Sequence, residues 1–173
     1  MSVVAHVFPV ATQQLAQKAV DWQSGTVDTL KVLLVASGTF NWPGTSDSTA
    51  NYTTVSAFLA NAGSGGGGAL TEVSTSGTGY TRQTLTGVGF SSSSSGLFST
   101  LTVSGAIQWT SATFSAVYAL FYDYTAGGNS DTNGIPICYW DFGGTQSCSS
   151  GTFTLTLGSA NSVSNALVQY TSS

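Results

Sequence analysis

Residues 29–37, Thr-Leu-Lys-Val-Leu-Leu-Val-Ala-Ser (TLKVLLVAS), are apolar at consecutive positions rather than at every second one. Successive side chains of a strand point to opposite faces, so a strand with this pattern has both faces covered and runs through the interior of a sheet or sandwich. Lys31 is its single charge, and its long stem is expected to snorkel out near one end. Upstream, residues 10–20 (VATQQLAQKAV) give the clearest helix: Pro9 suits a first turn, Val10, Leu15, Ala19 and Val20 form a short apolar stripe, and Ser24-Gly25 ends it. Downstream, residues 38–51 have loop chemistry, 54–61 (TVSAFLAN) suit a short helix, and Gly63–Gly68 read as a loop.

From Ala69 onward the period becomes two. Short strands are expected near 70–75, 79–90, 97–109, 113–124, 135–142, 152–157 and 163–170, with Asn133-Gly134 and Gly143-Gly144 marking two tight connections. Ser91–Ser95 reads as a loop between strands. No internal repeat or second core is visible. These segments describe an all-β protein, a jelly-roll-like antiparallel β-sandwich with one short N-terminal helix, organised as an N-terminal arm (1–8) and a single domain (9–173).

Composition narrows the chemistry. The chain has 173 residues, of which three are Lys or Arg and seven Asp or Glu, against 52 Ser or Thr and 21 Gly. Lys18, Lys31 and Arg82 cannot neutralise a run of phosphates, which argues against nucleic acid and anionic membranes as partners. Hydroxyl groups keep such a surface wettable while sparing it the cost of burying ions, so composition alone suits equally a surface covered by other protein and an extracellular β-protein that is simply rich in Ser and Thr. The apolar start lacks the basic residues of a secretory leader, and no stretch approaches a membrane span.

Catalytic candidates are few. A glycosidase of this shape needs two carboxylates across the scissile bond; Glu72 is the sole glutamate, which leaves Asp123 (in Tyr122-Asp123-Tyr124) and Asp141 (in Trp140-Asp141-Phe142) as the possible pair. The favoured alternative is that both are strand-end aspartates turned away from the core. His6 is the only imidazole and has no nearby Asp or nucleophile-elbow serine, so acyl transfer and metal binding both lack residues. The expectation is therefore no catalytic residue, no metal ligand and no cofactor. Cys138 and Cys148 flank Gly143-Gly144 in positions that could face one another, as a disulfide or as two thiols. Trp109 and Trp140 fall inside strand patterns and suit core or inter-subunit packing, and Trp22 suits packing of the helix on the sheet. Trp42, with Tyr52, forms the candidate exposed interaction loop.

Three stretches in order carry a resemblance: Val27–Val35 (VDTLKVLLV) after a short helix, Gly77–Leu85 (GTGYTRQTL), and Phe114–Tyr124 leading to Ile137–Gly144 (ICYWDFGG). Over roughly residues 10–157 the chain resembles small virion structural proteins of tailed bacteriophages, most of all the capsid decoration, or cement, proteins. The resemblance implies a homotrimeric β-sandwich seated at three-fold and quasi-three-fold positions on the outer surface of a capsid, bridging major capsid protein subunits and stabilising the mature head. It also implies assembly in the bacterial cytoplasm. Gly63–Gly68 looks like an insertion relative to that family, and the tail after Gly158 is long. Residues Ser2, Val3, Val4, Ala5, His6, Val7 and Phe8 would then be an arm lying on a capsid subunit. A tail or fibre component, or a receptor- or glycan-binding sandwich using Trp42 and Tyr52, are the competing roles.

Overall fold

The computed structural model describes residues 4–8, 10, 11, 13, 28–38, 52–61, 69–92, 98–160 and 163–171. Ten strands are described: β1 Val4–Val7, β2 Leu30–Ser37, β3 Thr71–Glu72, β4 Gln83–Thr84, β5 Val88–Ser92, β6 Phe98–Val103, β7 Ile107–Asp123, β8 Ile135–Leu155, β9 Gly158–Ala160 and β10 Val163–Thr171, with one helix, α1, at Val55–Asn61. They form two antiparallel sheets. One has the order β1-β8-β7-β2-β3, with β4 also pairing β2; the other has the order β5-β6-β10-β9.

The two faces of β2 account for the layering. Leu30, Val32 and Leu34 enter a core shared with Leu101 and Val103 of β6 and Leu167 of β10, which cements sheet to sheet. Leu33 and Val35 point the other way, into a second core with Val55 and Phe58 of α1, Phe8 and Tyr139. A sandwich thus carries a helical cover on the outside of its larger sheet. Each fully buried Leu or Val contributes about 1.5–3 kcal/mol of transfer free energy, so an unbroken apolar run is required where both faces are dry.

β7 changes character along its length. Near Asp123 its residues are buried on both faces, whereas from Ile107 to Ala116 only alternate residues are buried and Gln108, Thr110 and Thr113 are exposed. A bulge between Trp109 and Ala112, where Ser111 has φ 54°, resets the alternation so that Trp109, Ala112 and Phe114 stay on the same face. The separate strands expected at 97–109 and 113–124 are accordingly redistributed: the first is cut at Ser104-Gly105 into β6 and the start of β7, and the second is the continuation of β7. The 79–90 segment is likewise divided, into β4 and β5.

Two expectations are corrected on β8, and of the two states open to its cysteines one is found. The segments 135–142 and 152–157 belong to one strand of 21 residues. Gly143-Gly144 is a bulge within it and not a tight connection: Ala116 pairs with Gln146 and Tyr118 with Asp141, so Phe142–Thr145 are looped out opposite Val117. Gly143 and Gly144 take φ 67° and 147°, open to glycine, and Asp141 Oδ1 accepts the Gly143 N–H at 2.8 Å. Cys138 and Cys148 consequently lie along one strand, opposite Phe121 and Phe114, and are free thiols.

Within the N-terminal arm, the described residues form a strand of the larger sheet. Val4–Val7 pair antiparallel with β8 in the register Val4 with Asp141, Ala5 with Trp140, His6 with Tyr139 and Val7 with Cys138. Phe8, 1% exposed, packs its ring against Tyr52, Phe58 and Tyr139. Ser2 and Val3 lie outside the described residues. Of the helix expected at 10–20, residues 10, 11 and 13 are helical, and the remainder lies outside the described residues, as do Trp22 and Gly63–Gly68.

Because β2 joins both cores, Leu33→Ala and Leu34→Ala, on opposite faces, should each lower stability by about 2–5 kcal/mol. Urea unfolding should remain a single transition in both; a biphasic curve in either would show that the layers fold independently.

Candidate functional site

The glycosidase pair is not assembled. Asp123 pairs in register with Leu30, which faces the inter-sheet core, and Asp141 with Tyr118, which faces the helix-covered core. They lie on opposite faces. Tyr118 and Asp123 are five positions apart on β7, roughly 17 Å at strand rise, well beyond the roughly 5–9.5 Å that two glycosidase carboxylates span. Both carboxylates shape local backbone instead: Asp123 Oδ1 accepts the Ala126 N–H at 2.8 Å, and Asp141 holds the Gly143 bulge.

Four of the ten charged residues meet elsewhere, at the open edge of β2. β3 pairs with its C-terminal end and β4 with its N-terminal end, and residues 73–82 leave the edge between them. The gap has a substitute partner: Val73 N–H donates to Leu34 O at 2.9 Å, and the Leu34 N–H donates to the Tyr80 hydroxyl at 3.0 Å. Tyr80 in turn donates to Glu72 Oε1 at 2.9 Å. The two ends of the excursion are clamped by a bidentate pair, Arg82 Nε to Glu72 Oε1 at 2.8 Å and Nη2 to Oε2 at 2.7 Å, about three-quarters buried. Arg82 Nη1 also donates to the Asp131 carbonyl. Asp131 Oδ1 receives Lys31 Nζ at 2.9 Å and the Tyr122 hydroxyl at 2.6 Å, and the Lys31 ammonium sits 3.8 Å from the centre of the Tyr124 ring. Lys31 therefore ends in an ion pair on a ring face rather than merely reaching solvent.

The excursion is seated against β7. Trp109 Nε1–H donates to Thr81 O at 2.6 Å and Thr113 N–H to Thr78 O at 2.9 Å. Gly79, at φ 70°, approaches so closely that a Cβ would lie 2.6 Å from Ser111 O. Its GTGYTR sequence is thus explained by packing. Lys31, Glu72, Arg82 and Asp131 border an open concavity of about 610 Å³, but their charged groups are matched to one another. Burial, then the Glu72 charge, pushes the Tyr80 hydroxyl well above its ordinary pKa; burial, then the bond to Asp131, does the same for Tyr122. Burial alone would raise Asp131, but the bonds from Tyr122 and Lys31 win and hold it below the usual carboxylate range. The cluster is equipped to fix backbone rather than to move protons near neutrality.

A second concavity, about 520 Å³, runs along β8 past the bulge and is walled by Trp140, Phe142, Phe153, Leu155 and Leu157, with Cys148 and several hydroxyls at its mouth. Among the described residues, no charged side chain lines it. Cys148 is half-buried, and Cys138 is fully buried with its thiol pushed far up by burial. Sequence reading missed this groove and the Glu72–Arg82 clamp; the one available sign of the clamp was a lone Glu and a lone Arg flanking a Ser/Thr/Gly-rich stretch.

The exposed-loop expectation is corrected for Tyr52: it is buried against Phe8 and Phe58 under the larger sheet. Trp42 lies outside the described residues. Trp109 and Trp140 are buried in the inter-sheet core, the latter donating to Leu167 O at 3.3 Å. His6 occupies a place in β1 opposite Tyr139. Among the described residues, no group of three or more His, Cys, Asp and Glu is placed to hold a metal ion, and no helix is long and apolar enough to cross a membrane. No family model, curated protein or solved structure matches the chain.

Three outcomes follow from this geometry. Arg82→Met should cost about 1–3 kcal/mol in urea unfolding, and adding Glu72→Gln should recover part of that loss, since the unpaired carboxylate is then gone. Tyr80, Tyr122 and Tyr139 all have pKa values raised in the fold, so their contribution to stability is complete below about pH 10 and declines as pH rises above it; the tyrosinate signal of these three rings, followed ring by ring by NMR, should appear together with unfolding and not before. Maleimide should label Cys148 in the native protein and Cys138 only after denaturation, as peptide mass mapping would show.

Proposed function

We propose that this chain is a structural protein of a tailed-phage virion, attached as a decoration or cement protein to the outer surface of the major capsid protein shell. The observation that supports this reading best is the solvent face of the outer β7–β8 ribbon. Gln108, Thr110 and Thr113 on β7 and Ser147, Thr152 and Thr154 on β8 are exposed, and none is charged. Elsewhere, four of the chain's charges are consumed in the clamp. A ribbon face of this kind offers hydrogen bonds to a partner without the desolvation cost of ions, which suits a protein that covers a large area of another protein. Preferential attachment to the mature lattice would stabilise that lattice by mass action, and a three-fold arrangement of copies would match a shell's local symmetry.

Purified particles test the proposal. Quantitative protein analysis should find the chain in amounts commensurate with the major capsid protein, and particles stripped of it should lose heat resistance and regain it when the purified protein is added back. Binding should weaken only slightly in moderate salt, because few charges stand at the contact. A small fraction of the capsid amount would transfer the assignment to the tail, and steep loss of binding in salt would contradict a neutral interface.

A further inference from the structure

We infer that Asn133 is a site of spontaneous deamidation, and that the seating of α1 on the carbonyls flanking it sets how fast it reacts. Asn133-Gly134 is the one Asn-Gly step in the chain. Glycine has no Cβ to shield its amide nitrogen, so that nitrogen can reach the side-chain carbonyl carbon of a preceding Asn. The bond from Gly134 N to Asn133 Cγ forms, the Cγ–Nδ2 bond breaks, and the proton given up by the Gly134 amide leaves with Nδ2 as ammonia. Water then opens the succinimide at one of its two carbonyls. One opening leaves aspartate in a normal main chain; the other leaves isoaspartate, whose main chain runs through the former side chain and is one carbon longer.

Asn133 is exposed, so water reaches it and ammonia can leave. The main chain on either side of it is held. Ser56 N–H donates to Thr132 O at 3.0 Å and Val55 N–H to Gly134 O at 2.9 Å, so two adjacent amides in the first turn of α1 grip the loop around Asn133. Gly134 is buried, and a Cβ on it would overlap the Tyr122 ring. A Cβ on Gly127 would stand 2.6 Å from the Asn133 carbonyl oxygen, so that side of the peptide is closed too. Closing a five-membered ring requires the Asn133–Gly134 peptide to turn. That turn is opposed while both flanking carbonyls are bonded and Gly134 is wedged against Tyr122. Cyclisation in the folded protein therefore passes through local release of the loop from α1, an opening smaller than global unfolding.

The two products differ in what they do to the fold. Aspartate at this position keeps the spacing between the Thr132 and Gly134 carbonyls. Isoaspartate lengthens it by one carbon, so the two carbonyls no longer match adjacent N–H groups of α1. Val55 and Phe58 of α1 share the outer core with Leu33, Val35 and Tyr139, so loosening the helix loosens that core. Either product adds one negative charge to a chain with three basic and seven acidic residues, a change that separates cleanly by charge.

The test ages the full-length protein in mildly alkaline buffer, with isoelectric focusing to count added charge and tandem mass spectrometry to locate it and to measure isoaspartate. In urea beyond the unfolding transition, Asn133 should react before any other Asn. In native buffer it should react more slowly, on the order of tenfold or more, because only the locally opened state cyclises. Thr54→Ala removes the hydroxyl that caps α1 by accepting the Ala57 N–H at 3.1 Å, and leaves the loop sequence unchanged. It should raise the native rate roughly fivefold, the population change expected of losing a helix cap. The aged isoaspartate fraction should unfold at lower urea than fresh protein, while Asn133→Asp, with the same charge and a normal main chain, should not. Equal rates in native and unfolded protein, or in Thr54→Ala and the parent, would overturn the role of α1. Added charge that maps first to another Asn in urea, or an Asn133 that stays intact in native Thr54→Ala, would overturn the site.

Discussion

Burial of β2 on both of its faces is the constraint on which the structure depends. A strand covered on one side needs only alternate apolar residues; this one needs them throughout, and Leu30, Val32, Leu33, Leu34 and Val35 are all fully buried. With both faces committed, β2 fixes where the second sheet and α1 must lie, and it leaves one edge to β7 and the other to be managed. That managed edge is where the scarce charges go. Glu72 and Arg82 close the excursion between β3 and β4, Tyr80 replaces a missing strand partner for Leu34, and Lys31 and Asp131 tie the neighbouring end.

The allocation of charge has a consequence at the far side of the sheet. A chain with so few ionic residues that places four in one structural cluster has few left to guard its other edges or to decorate its faces. The outer β7–β8 ribbon consequently presents hydroxyls, and past the bulge no strand among the described residues continues the pairing of β1 along β8, beside an apolar groove. Edge and face thus reflect the same composition: ionic groups hold the edge of β2, and neutral groups are left for the exposed face of the β7–β8 ribbon.

What was legible in the sequence follows from how local each signal is. TLKVLLVAS declared an interior strand because its apolar residues are consecutive, and TVSAFLAN declared a helix by its own pattern. The unity of β7 was hidden because the bulge at Ser111 shifts the alternation, so one strand presents two phases. Gly143-Gly144 read as a turn because turns and bulges ask the same freedom of glycine, and only the register distinguishes them. Tyr52 read as exposed because its neighbours are polar, yet the ring reaches Phe58, on the helix that follows it, and Phe8, far away in sequence. The clamp and the groove were the least legible, since each depends on which edge of a strand is paired, and residue order alone carries no such information.

Native-state hydrogen exchange of the isolated protein tests most directly the claim that β2 anchors the fold while the outer edge of β8 stays open. Amides of Val32–Val35 should exchange only by global unfolding, while along Gln146–Leu155 protected amides facing β7 should alternate with amides that exchange almost freely. Uniform protection along that stretch of β8, or exchange of the β2 amides through local opening, would contradict the account.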